Sequence, residues 1–151
     1  LSILLTLCLP LVSIFGTAVA VFFNKYIKDF VLLCGLFFLA TTGALALTLA
    51  FKGTSAAVML VCLSLISLFM SGTNNVITSM APLYYKEKAS AGLLAGVLNG
   101  CCYIGSTLSS YGLGAVADGY GWNAVFYLLI ACSAACVIIS AIKTVIRKPK
   151  I

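Results

Sequence analysis

Five long apolar stretches follow one another along the chain, separated by short polar joints. They cover residues 1–23, 30–51, 55–80, 89–117 and 123–142. A helix needs about 20 mainly apolar residues to cross a bilayer. A membrane β-strand would instead alternate apolar and polar positions over about 10 residues. These stretches are continuous and twice that length, so the pattern predicts an all-α membrane protein with five transmembrane helices. The joints, at 24–29, 52–54, 81–88 and 118–122, are short enough to make neighbouring spans antiparallel. Gly53, and Gly119 and Gly121 on either side of Tyr120, supply turn residues. Pro82 falls just beyond the end expected for the third span.

Polar positions are not spread evenly around these helices. With residues spaced at 100° per step, Ser64, Ser67, Ser71, Asn74, Asn75 and Thr78 of the third span share an arc of about 100°. On the fourth, Gly92, Gly96, Asn99, Gly100, Tyr103, Ser106 and Ser110 share about 120°. Thr6, Ser13, Thr17 and Asn24 mark one face of the first. The second span has only a mid-span cluster of threonines, and the fifth little beyond Ser133 and Ser140. Lipid offers nothing to bond a polar group. The faces on spans one, three and four must therefore turn towards protein or water, while spans two and five can stand at the periphery. Gly92, Gly96 and Gly100, at four-residue spacing, suit close helix packing. Asn74, Asn75, Thr78, Asn99, Tyr103 and Ser106 are candidates for lining a polar cavity. Two asparagines in series carry more donors than packing calls for.

Composition sharpens this picture. Of the 151 residues, 63% are hydrophobic and 8% charged, against roughly 25% charged in a soluble domain. There is no histidine, and the acids are Asp29, Glu87 and Asp118, all in joints. A Ser/His/Asp or Cys/His triad is impossible in this chain, as is a paired-carboxylate site, so no enzyme activity is expected. The seven cysteines all lie in apolar stretches without a CxxC spacing. They read as small buried hydrophobes, and neither a metal nor another cofactor is expected. The chain begins with Leu1, inside an apolar run and without a basic leader, which suggests a piece of a longer protein.

The net charge of +6 is dealt out to alternate joints. If the first joint is cytoplasmic, Lys25, Lys28, Lys86, Lys88, Lys143, Arg147, Lys148 and Lys150 all fall inside, and Lys52 alone falls outside. The positive-inside rule then places the C-terminus in the cytoplasm of a multi-pass cell-membrane protein. A nucleic-acid face would gather its charge on one soluble surface, so no nucleic-acid partner is expected. Tyr26, Tyr84 and Tyr85 at one end, and Tyr120 and Trp122 at the other, suit interfacial belts.

Several joints carry recognisable motifs. Asn24-Lys25-Tyr26-Ile27-Lys28 resembles the basic loop Gly-x3-Asp-Arg-x-Gly-Arg of the major facilitator superfamily, with Ala20 for the first Gly, Asn24 for the Asp, Lys25 for an Arg and Ile27 for the second Gly. Met80-Ala81-Pro82-Leu83-Tyr84-Tyr85-Lys86, followed by Ser90-Ala91-Gly92, is similar to that superfamily's join of helices ten and eleven. The stretch from Gly114 to Phe126 is similar to the join of eleven and twelve. The chain thus resembles helices eight to twelve, a partial C-terminal bundle of a twelve-helix transporter domain spanning 1–151. The resemblance implies that spans one, three and four line a central cavity and that two and five lie outside it. It also implies a partner: the N-terminal half of the same transporter.

Gly96-Val97-Leu98-Asn99-Gly100-x-x-Tyr103-Ile104-Gly105-Ser106 looks most like the organophosphate:phosphate antiporters. That family carries sugar phosphates and similar anions, and holds the phosphate with arginines on helices outside this stretch. The resemblance implies secondary transport of a small polar solute, such as an organophosphate, by alternating access. A membrane solute sensor of the same fold, or a free-standing small membrane scaffold, are the alternatives. No charged side chain lies within any span, and intramembrane charges usually mark proton relays. Their absence fits an antiporter, which needs no relay.

Overall fold

The computed structural model describes residues 2–53, 55–87 and 89–146, with side chains from residue 9 onward. Thr6, Cys8, Lys88, Arg147, Lys148 and Lys150, and with them the expected C-terminal charge cluster, lie outside the described side chains. Every described element is helical: α1 Ser2–Tyr26, α2 Phe30–Ala50, α3 Ala56–Asn75, a π-helical turn Val76–Met80, α4 Ala81–Tyr84, α5 Ala91–Tyr120 and α6 Trp122–Ile146. With α3, the π turn and α4 joined as one span, five helices among the described residues are long and apolar enough to cross a membrane.

The ends differ from the hydropathy pattern in informative ways. The third span does not stop before Pro82 but runs through it to Tyr84. Proline has no N–H and crowds the carbonyl four residues earlier, here that of Thr78. The π turn, where the Ala81 N–H reaches back to the Val76 carbonyl, widens the helix at that point and lets it continue. The joint expected at 118–122 shrinks to Gly121 alone. Its φ of 81° reverses the chain in one residue, and its N–H closes on the Ala117 carbonyl at 3.0 Å. Asp118, Gly119 and Tyr120 therefore stay helical. Asp29 caps α2, accepting from the Val31 N–H at 2.9 Å.

Packing centres on α2, which lies between α3 and α6, while α1 packs along α3. Leu33, Cys34, Phe37, Thr41, Ala44, Leu45 and Thr48 of α2 are buried. About a third of this span is thus turned to protein. Only its other strip, with Leu32, Leu36, Leu39 and Leu47, remains open to lipid. An apolar helix without a polar stripe can bury one face in protein and give the other to lipid, and the sequence pattern does not separate the two. Ala20, Leu33, Cys34, Phe37 and Val76 form the core where α1, α2 and the π turn meet.

Hydroxyls bind the layers together. Ser13 and Ser67 meet across α1 and α3 with Oγ atoms 2.7 Å apart, and Ser71 Oγ donates to the Ser13 carbonyl at 2.7 Å. Between α2 and α6, Thr42 Oγ1 donates to Ser133 Oγ at 2.8 Å, which donates onward to the Phe38 carbonyl at 3.1 Å. Among the described residues no buried side-chain nitrogen or oxygen lacks a partner, as a low-dielectric interior demands. At the far end, Lys52 Nζ donates to Asn123 Oδ1 and ties the second joint to the start of α6.

Candidate functional site

The expected polar faces meet two different fates. On α1 and the first half of α3, Ser13, Ser67 and Ser71 are used up in the interhelical bonds just described. Their polarity is packing chemistry. Further along the same span, the polar groups come free of that contact. Asn74 is exposed, and Asn75 and Thr78 are half-buried. Thr78 Oγ1 bonds the Asn74 carbonyl at 2.8 Å, which places the hydroxyl inside the widened turn. These are the residues on either side of the point where the α-helix becomes a π turn, a feature often found at functional sites.

On α5 the openness is complete. No residue of this 30-residue helix is buried. Asn99, Ser106 and Ser110 are exposed, and Tyr103 is 70% exposed. Thr107 and Ser110 return their hydroxyls to the Tyr103 and Ser106 carbonyls at 3.0 and 2.9 Å. The amide of Asn99 and the phenol of Tyr103 are left to present outward. The helix touches the rest of the chain at the π turn, α4 and α6. It therefore stands beside Val76–Met80.

Their depths agree. Asn99 lies eight residues inside the start of α5 at Ala91, and Asn74 ten residues before the end of α4 at Tyr84. At 1.5 Å per residue these are roughly 12 and 15 Å from the same end, near the middle of a ~30 Å hydrocarbon layer. Tyr103 and Ser106 lie one and two turns further on. A polar face at that depth cannot be a lipid face.

The glycine stripe behaves differently from a packed seam within this chain. A Cβ added at Gly92, Gly96 or Gly100 meets nothing within 4 Å, so any helix that packs there lies outside the described residues. The close approach that does occur was not anticipated from the sequence. A Cβ at Gly16 would stand 2.2 Å from the Leu68 carbonyl oxygen, and one at Gly72 would stand 2.9 Å from the Phe37 ring and 3.1 Å from the Gly16 carbonyl oxygen. Gly72 is thus the point where α1, α2 and α3 come together. The signal was available in Ser13, Gly16 and Ala20, a small-residue strip at helical spacing on α1.

The six described cysteines, Cys34, Cys62, Cys101, Cys102, Cys132 and Cys136, are free thiols. Among the described residues no group of His, Cys, Asp or Glu could hold a metal ion.

No protein-family model matches the chain, and no solved structure matches it. A stretch of 71 residues is 34% identical to a probable hexose phosphate transport protein of Chlamydia pneumoniae. The match covers 47% of this chain and 15% of that protein, so the chain spans only a small part of the length of this relative. The sequence is that of a multi-pass membrane protein with a transporter among its distant relatives.

Proposed function

We propose that this chain is part of a secondary transporter that moves a small polar solute across the cell membrane by alternating access. The substrate class is an organophosphate such as a sugar phosphate. The observation that carries the reading is the polar face of α5. Asn99, Tyr103 and Ser106 stand exposed on α5, which packs beside the Val76–Met80 turn, and lipid would leave them unbonded. An aqueous cavity, closed by an upstream half of the same protein, satisfies that face. The open Gly92, Gly96 and Gly100 strip fits the same half, since backbones approach closely at such glycines. The similarity to a hexose phosphate transport protein supplies the solute class.

In such a transporter the two halves rock about a site near the bilayer midplane. Asn99 can donate and accept, and Tyr103 O–H can donate, to a solute's hydroxyl or phosphate oxygens. The chain's spans carry no buried carboxylate to couple protons, which suits exchange of one anion for another. The charge bias between joints puts the 24–29 and 81–88 joints and the C-terminus in the cytoplasm. The test is uptake of labelled glucose 6-phosphate by proteoliposomes that hold the full-length protein and are preloaded with inorganic phosphate. Exchange dependent on internal phosphate is expected. Saturable solute binding without uptake would contradict the proposal and leave a sensor.

A further inference from the structure

A cleft of about 270 Å³ opens at the joint between α1 and α2, beside the end of the third span. Asn24, Lys28, Phe30, Met80, Leu83 and Tyr84 line it. Its walls are of two kinds. The Asn24 amide, the Lys28 ammonium and the Tyr84 phenol are polar, and Phe30, Met80 and Leu83 are apolar. The Phe30 and Tyr84 rings meet at 5.3 Å and fix the wall between the joint and α4. Among the described residues no carboxylate lines the cleft; the neighbouring Asp29 caps α2, accepting from the Val31 N–H at 2.9 Å.

Position decides what such a cleft meets. It lies where α1 ends, α2 begins and the third span ends, the level at which a membrane presents its headgroups. Leu83 is 62% exposed at its edge, an apolar surface that water covers poorly.

We propose that this cleft binds the headgroup of an anionic phospholipid, with the phosphate at Lys28 and Asn24 and the first acyl carbons over Met80 and Leu83. A free phosphate shares the charge but has nothing to cover Phe30, Met80 and Leu83. The lipid uses both kinds of wall. A basic pocket between helices at the membrane surface is a recurring headgroup site.

The test uses native mass spectrometry of the full-length protein released from micelles. Dioleoyl phosphatidylglycerol or dioleoyl phosphatidylcholine is added as the probe. Phosphatidylglycerol should be retained in preference to phosphatidylcholine. Lys28→Gln should weaken that retention about fivefold, the effect of one lysine at a membrane surface. Lys28→Arg should keep it, and Lys52→Gln, at the other end of the bundle, should leave it unchanged. Equal retention by wild type and Lys28→Gln would overturn the site. Displacement of the lipid by excess inorganic phosphate would overturn it as well, in favour of a free-anion site. The readout does not depend on any transported solute, so it stands or falls apart from the transport proposal.

Discussion

Single residues decide how closely these helices approach. Gly16 has no room for a methyl group, because all that a Cβ there would meet is the Leu68 backbone, whereas at Gly72 it would meet the Phe37 ring and the Gly16 carbonyl. Backbone cannot step aside as a flexible side chain can. Gly16→Ala should therefore destabilise the folded protein by about 1–3 kcal/mol, the usual cost of overpacking, despite alanine's better helix propensity. Gly96→Ala has open space around it in this chain. In the full-length protein its effect reports on a partner helix. Thermal unfolding of both variants in detergent checks this, and a Gly16→Ala variant as stable as wild type would refute the close crossing. The Gly92–Gly96–Gly100 strip was the conspicuous glycine signal, and the quieter Gly16 proved to be the crowded one. Spacing alone shows that a helix can be approached closely. It does not show which neighbour does so.

At the scale of the element, helix type and span order were legible because lipid imposes one period and one length on every span. Where a helix ends was less legible. Hydropathy marks the change from apolar to polar residues, but Pro82 and Tyr120 are helical beyond that change, one through a π turn and the other up to a glycine with positive φ. If proline is what widens the helix at Val76–Met80, Pro82→Ala restores a donor to the ladder. Amide exchange at residues 81 and 83–85 should then slow by at least about tenfold, given the ~3 kcal/mol disturbance of an interior proline. Unchanged exchange would assign the π turn to another cause. The serine contact between α1 and α3 is expected to be modest. Ser67→Ala should cost about 0.6 kcal/mol, and Ser13→Ala combined with Ser67→Ala less than the sum of the two. Strict additivity in a double-mutant cycle would mean the 2.7 Å Ser13–Ser67 contact contributes nothing of its own.

For the whole molecule, the polar faces were legible but their uses were not. Ser67, Ser71 and Asn74 lie on one arc of one helix, yet two of them bond α1 and the third is open. Only the neighbouring helix separates packing from lining. The second span shows the same limit, since its apolar surface suits protein and lipid alike. Lys25, Lys28 and Lys86 against Lys52 predict that the 24–29 and 81–88 joints face the cytoplasm, so a reporter fused in the 81–88 joint should be active only in its cytoplasmic form. Activity of the periplasmic form alone would invert the topology. The central claim is that the open face of α5 borders a solute pathway. It is tested most directly by placing single cysteines at Asn99 and Tyr103 in the full-length protein, with its native cysteines replaced, and treating it with a water-soluble thiol reagent. Both positions should react, and hexose phosphate should protect them. Complete inertness of both in every loading condition would return these residues to helix packing and contradict the account.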